Sequence, residues 1–422
     1  MLADVSTTRA GDTVRPGLEG LDWQSAYSVD PMEMALVQAL KEPMLAAMNI
    51  EDALQDWFDG RLADSKGNTE EAQQHWRDGL KKLADLKPLP KADWGPNPDA
   101  TLKPLHKVNF GDTDGADVFV VQWKVDNLTQ YGVLVTPSRR PKGVRYPLLL
   151  YVHGAAFGVP TYAVPWLAGM AREGYVIIGP AFRGEDLFAT YAPLKGLEYK
   201  CDGEIENLDG EVDDALSAVS GARKLSFVSQ GKFGIIGHSF GAGAGLLVTA
   251  RSDDVACMVS YDAWLTNPFR YYWDRMRRGA NNWLSWADFC NQPVADQLAG
   301  LMTRSIVHHA DRINCPLLMF IGGAYEGSVF HLSHEDLIAQ LEKYNKPYTY
   351  DVVPDGGHNF VLDYGSEAAT YAYRKHMEFL RKHLPPVTPP EDKPEPARNT
   401  GAHTAQPDAG TPATEEQPEQ TQ

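Results

Sequence analysis

Hydrophobic and polar positions change their period along this chain, and the changes divide it. Before residue 105, apolar side chains recur every three or four positions: Met32, Leu36 and Leu40, then Leu54, Trp57, Phe58 and Leu62, then Trp76, Leu80, Leu83 and Ala84. That spacing predicts three amphipathic helices. Asp30-Pro31 opens the first and Pro43 interrupts it; the second starts at Asn49, and Asn68 with Glu71 makes a capping-box-like pair for the third. Residues 1–30 read as a poorly ordered lead-in and 31–104 as a helical region. The aromatic residues of these helices read as packing against neighbours.

From Leu105 the period falls to two. Residues 105–110, 117–125 and 130–137 read as antiparallel strands joined by Asp-Gly and Asp-Asn turns. Six further runs, 146–152, 174–180, 233–238, 256–261, 316–322 and 348–353, are almost wholly apolar. Such runs suit strands buried on both faces of a parallel sheet. Helical stretches at 211–225 and 335–344 alternate with them, so the expected fold class is α/β, with a mostly parallel, doubly wound sheet.

Residues 265–312 hold two of these strands unusually far apart and open on Phe269, Tyr271, Tyr272 and Trp273, just after Trp264. They read either as a helical, lid-like insertion over a pocket or as ordinary helical packing. Beyond Leu384 the chain turns to Pro, Glu, Gln and Thr, and 385–422 reads as a disordered tail.

Composition narrows the function classes. The 422 residues carry a formal net charge of -17, which argues against nucleic acid or an anionic membrane as the main partner. Met1 to Gly20 lacks the apolar core of a secretory signal, and no later run is long enough to span a bilayer. Cys201, Cys257, Cys290 and Cys315 show no pairing motif and read as free thiols. The expected compartment is the cytoplasm.

The densest chemical signal is Gly237-His238-Ser239-Phe240-Gly241, directly after the apolar run 233–236 and before the small residues Ala242 to Gly245. Strand, sharp turn and helix in that order present a serine hydroxyl at the helix start, and the flanking glycines are the residues such a turn requires. A serine hydroxyl is a weak nucleophile; it needs a histidine to take its proton, a carboxylate to orient that histidine, and N–H donors for the oxyanion. His358, on the glycine-rich loop after run 348–353, is the expected base. Glu326, on the loop after run 316–322, is the expected acid, and Asp262, at the end of run 256–261, is the alternative. The turn His153-Gly154-Ala155-Ala156 offers a backbone N–H, with Ala155 chosen and Ala156 next, to complete an oxyanion hole with Phe240. Phe157 and Trp264 are the expected substrate contacts.

Other groups read as structural. Glu204, Glu206, Asp209, Glu211, Asp213 and Asp214 complement a helix start, with a cation site as the lesser alternative. His308-His309 with Asp311 reads as a solvated helix end, and Arg183 to Asp186 as loop structure.

Placed in this order, the residues resemble the α/β-hydrolase superfamily, and within it the prolyl oligopeptidase and dienelactone hydrolase-like group. The resemblance spans 105–384. It rests on Tyr151-Val152-His153-Gly154, the stretch from Gly174 to Gly184, the serine turn, Arg304-Ser305-Ile306-Val307, Cys315-Pro316-Leu317-Leu318 and Gly357-His358. It implies a catalytic Ser239 and a catalytic His358. Glu326 stands where the group usually has aspartate. The helical stretch before the first strand is too short for the β-propeller of prolyl oligopeptidases, which tilts the expectation toward an esterase. Some α/β hydrolases carry a helical cap of this kind, including ones that cleave carbon–carbon bonds.

The expected activity is therefore hydrolysis of a carboxylic ester through an acyl-enzyme, with a small ester or short peptide-like molecule as substrate and no cofactor or metal. A peptidase or amidase, and a non-catalytic binding protein of the same fold, are the competing readings.

Overall fold

The computed structural model describes residues 50–84, 91–154, 157–189, 194–271 and 300–388. The expected lead-in, the first helix and 389–422 of the expected tail lie outside them, as does 272–299 of the expected lid; residues 385–388 are ordered instead, with the Val387 N–H donating to the Gly174 carbonyl at 3.2 Å. Helices α1 (Ile50–Ser65) and α2 (Thr69–Ala84) follow the sequence pattern, and Asn68 Nδ2 donates to Glu71 Oε2 at 3.0 Å. The buried face expected of α1 is only partly buried: Trp57 is half-buried, whereas Phe58 and Leu62 are exposed.

The strands build one nine-stranded sheet in the order β1-β2-β3-β6-β4-β8-β9-β10-β11. Strands β1 (Lys103–Val108), β2 (Ala116–Val125) and β3 (Leu128–Pro137) run antiparallel at one side, and β3 pairs antiparallel with β6 (Val176–Pro180). From β6 onward the pairing is parallel, through β4 (Leu148–Val152), β8 (Phe233–His238), β9 (Val255–Tyr261), β10 (Leu317–Gly322) and β11 (Tyr348–Val353). The strands fall within a few residues of the apolar runs. A short parallel pair, β5 (Val159–Pro160) with β7 (Phe188–Ala189), forms a separate small sheet.

Side-chain alternation sorts each strand onto two cores. In β4, Leu148, Leu150 and Val152 join the core that includes residues of helices α4 (Gly210–Arg223), α5 (Ser239–Arg251) and α6 (Val329–Lys343). Leu149 and Tyr151 join the opposite core, which takes in helices α3 (Ala163–Glu173) and α7 (Glu367–His383). Because both faces are covered, β4 and β8 are buried at every position, which is why their sequences lack polar alternation. Each fully buried Leu or Ile contributes about 2 kcal/mol. The described start of the expected lid belongs to the first core: Trp264, Leu265, Phe269 and Tyr271 are all buried.

The acidic cluster folds around buried arginines. Arg183 grips Asp214 in bidentate fashion, with Nε 3.2 Å from Oδ2 and Nη2 3.0 Å from Oδ1, and reaches Glu206 Oε1 at 2.7 Å. Arg304 donates to the carbonyls of Glu206 and Asn207, both at 2.8 Å. Buried Glu211 accepts the backbone N–H groups of Glu206 and Asp209, and its burial pushes its pKa up to about 7. Gly210 is required here, since a Cβ would lie within 2 Å of the Arg183 guanidinium.

One expectation is corrected. His308 and His309 do not form a solvated helix end; both are buried in a 3-10 turn (Ile306–Arg312), and burial lowers their pKa values to about 3 and about 4. His309 Nε2 donates to the Met302 carbonyl at 3.1 Å, and Trp94 packs on its ring at 4.4 Å. The sequence shows two polar residues; the fold places the Trp94 strap over one of them.

Candidate active site

Ser239 begins α5 directly after β8 and adopts φ 53°, a left-handed conformation that a serine side chain tolerates at a cost of roughly 1–2 kcal/mol. Its flanking glycines are dictated by contact. A Cβ on Gly241 would lie 2.3 Å from both the Val152 and His153 carbonyl oxygens, and one on Gly237 would lie 2.6 Å from Ala242 Cα. The helix therefore starts pressed against the end of β4, and the serine hydroxyl stands at the carboxyl edge of the sheet.

His358 arrives on the loop after β11. A Cβ on Gly322, the last residue of β10, would lie 2.3 Å from the Gly356 carbonyl oxygen, so the glycine lets the two loops meet. The Ala324 N–H donates to that same oxygen at 3.1 Å. This packing brings His358 Nε2 to 2.7 Å from Ser239 Oγ, although the two residues lie 119 positions apart. The hydroxyl donates to a neutral imidazole nitrogen, as the first step of serine activation requires. Burial, with the neighbouring His238 and His334 rings, lowers the His358 pKa to about 4. The imidazole is therefore neutral, and able to accept a proton, throughout the physiological range.

The structure separates the two expected acids. Glu326 caps a 3-10 turn (Gly323–Tyr325) on the loop that meets the His358 loop, but its side chain is exposed and forms no hydrogen bond to His358 among the described residues. Its place in the loop supports the role; a bond does not. Asp262 is fully buried at the end of β9, with φ 47°, and its Oδ1 accepts the Gly322 N–H at 2.8 Å. Burial pushes its pKa up to about 8. A carboxyl that holds its proton at neutral pH is poorly suited to stabilise an imidazolium.

Ala155 and Ala156 lie outside the described residues. The turn that carries them is held from both ends. His153 Nε2 lies 3.2 Å from Glu185 Oε2, with both side chains buried, and the same oxygen accepts the Gly158 N–H at 3.1 Å and the Phe182 N–H at 3.0 Å. The sequence reads Glu185 only as part of a loop, and the structure buries it under this turn. On the serine side, the Phe240 ring packs between Phe182 and Trp264, stacking on Trp264 at 5.6 Å, and the Trp264 N–H donates to the Ser239 carbonyl at 2.9 Å. Trp264 is thus buried beside the elbow, whereas Phe157 is 69% exposed.

The prolyl oligopeptidase family model matches residues 164–386, more than half of the chain, and takes in the elbow, the Glu326 loop and His358. The chain belongs to this family. Its fold is that of the α/β hydrolases. Dipeptidyl aminopeptidase BIII of Pseudoxanthomonas mexicana is 29% identical over 279 residues, covering 59% of this chain and 37% of the relative. Prolyl endopeptidase FAP of Bos taurus is 30% identical over 128 residues, 28% of this chain and 15% of the relative. The chain thus spans well under half the length of either. Among solved structures, an acylaminoacyl peptidase in complex with Z-Gly-Gly-Phe-chloromethyl ketone superposes with TM-score 0.51 at 17% identity, over 66% of this chain and 43% of that one. That likeness shows the fold.

Proposed function

We propose that this family member hydrolyses carboxylic esters through an acyl-enzyme on Ser239, with His358 as base and then acid and Glu326 as the orienting carboxylate. The observation that carries this reading is the 2.7 Å contact between Ser239 Oγ and His358 Nε2 at a strained elbow. In the first half-reaction the hydroxyl proton passes to His358 Nε2 while Oγ bonds to the substrate carbonyl carbon. The carbonyl oxygen, now negative, is held by the Phe240 N–H and a second N–H from Ala155. Collapse expels the alkoxide, which takes the proton from His358, and a water repeats the sequence to release the acid. Phe157 and Trp264 flank the acyl position. No metal or organic cofactor enters these steps, and a small-molecule ester is the expected substrate. Among the described residues no helix is long and apolar enough to cross a membrane; the cytoplasm remains the proposed compartment.

Ester cleavage makes the smallest demand on this pair, because an alkoxide leaves with less help than an amine. A second reading, that the natural substrate is a short peptide, is favoured by the peptidase names of both relatives. A fluorophosphonate probe should label Ser239 in the folded protein, and an unlabelled folded protein would instead indicate a binding role. Esters of graded acyl length assayed beside dipeptide amides then choose the substrate class; a higher kcat/KM on the amides would replace the ester reading.

Two further outcomes test the histidine and its acid. With the His358 pKa held near 4 in the free enzyme, kcat/KM should rise through an acid limb well below the ordinary histidine value of about 6.5 and be flat at neutral pH. A limb above 6.5 in the pH profile would mean that Glu326 already pairs with His358 before substrate binds. Glu326→Gln should lower kcat substantially, while Asp262→Asn, which keeps an oxygen for the Gly322 N–H, should change it little. The reverse ranking in steady-state kinetics would move the acid to β9.

A further inference from the structure

His358 sits on a loop with no regular structure, yet its Nε2 must stay within hydrogen-bond distance of Ser239. Two side chains hold its backbone. His238 Nε2 donates to the His358 carbonyl oxygen at 3.0 Å, and the His358 N–H donates to the Tyr325 hydroxyl oxygen at 3.1 Å. Both polar groups of one residue's backbone are thus tied to side chains from the ends of β8 and β10. The rings add lateral contact: His238 lies 5.4 Å from the His358 ring, and Tyr325 and Phe330 meet it edge-on at 5.9 and 5.4 Å.

We propose that His238 and Tyr325 are positioning residues that clamp the His358 backbone and so set the separation between nucleophile and base. The proposal rests on the Ser239–His358 reading and deepens it. His238 is covalently next to Ser239, so one residue ties the elbow to the loop that must meet it. A carbonyl only accepts, so the bond fixes the His238 proton on Nε2. Burial keeps the ring neutral by lowering its pKa. Gly154 completes the seat: a Cβ there would lie 2.5 Å from His238 Nδ1 and 3.1 Å from Ser239 Cβ. An error of about 1 Å in such a contact costs on the order of 10²-fold in rate.

The test compares His238→Phe, His238→Gln, Tyr325→Phe and the Phe/Phe double variant in the full chain. Steady-state kinetics on an activated aryl ester, the rate of fluorophosphonate labelling and thermal melting are read for each. His238→Phe, which keeps a ring but loses the donor, should lose roughly 10- to 100-fold in kcat at unchanged KM, and label more slowly in proportion. His238→Gln, whose amide nitrogen can donate from a similar reach, should recover most of that loss. Tyr325→Phe should lose several-fold, and the double variant less than the product of the single losses, because both hold the backbone of one residue.

Parental kcat and labelling in His238→Phe, a loss confined to KM, or a loss that glutamine does not restore would each overturn the clamp. Should His238→Phe fail to fold, Tyr325→Phe decides from the other side: parental kcat overturns the proposal, and a several-fold fall at unchanged KM supports it. Turnover surviving in His358→Ala would instead overturn the Ser239–His358 reading itself, whatever the clamp variants show.

Discussion

Ser239→Ala should reduce kcat on an activated ester by on the order of 10⁴-fold or more while leaving the melting temperature near that of the parent. The fold does not depend on the hydroxyl, because Oγ contributes one part-buried hydrogen bond to His358 and the surrounding core is apolar. Chemistry depends on it wholly, since no acyl-enzyme can form without the oxygen. A companion variant reads the backbone. Ser239→Gly removes the Cβ that makes φ 53° costly, so it should be at least as stable as Ser239→Ala and equally inactive. Near-parental turnover in Ser239→Ala would remove the mechanism proposed above. A glycine variant clearly less stable than alanine would remove the claim of strain.

The largest structural effect is expected at Gly241. An added Cβ would meet the Val152 and His153 carbonyl oxygens at 2.3 Å, backbone atoms that no rotamer change can move aside. Gly241→Ala must therefore shift α5 away from β4 and carry Ser239 with it. Overpacking of this kind costs about 3 kcal/mol, and a shift of about 1 Å at the serine costs a further 10²-fold in rate. Thermal melting should fall by several degrees, and fluorophosphonate labelling should slow even at temperatures where the protein is folded. Gly111 serves as the control, because a Cβ there meets nothing within 4 Å. Equal melting curves for Gly241→Ala and Gly111→Ala would show that the elbow does not need its glycine for space.

Much of the site was legible because its determinants are local. Gly237, Ser239 and Gly241 lie within five positions, and the strand before and helix after them follow from period and residue size. The order of the Glu326 loop and the His358 loop after the serine was legible too, since each follows an apolar run that forms a strand. Less legible was the environment of each group. His308 and Glu185 look like surface residues in sequence, and both are buried because segments distant in the chain close over them. The His358 pKa follows from that same closure.

The sequence by itself therefore determined the α/β architecture and the strand-turn-helix at Ser239, and pointed to Ser239 and His358 as the candidate pair, because periodicity, turn chemistry and chain order act over short stretches. Tertiary structure alone decided how those residues are held. It set His238 and Tyr325 on the two backbone groups of His358, left Glu326 exposed, and buried Asp262 where its carboxyl keeps a proton. Each of those outcomes depends on the distance between loops joined by no local rule, and on the burial that their meeting creates.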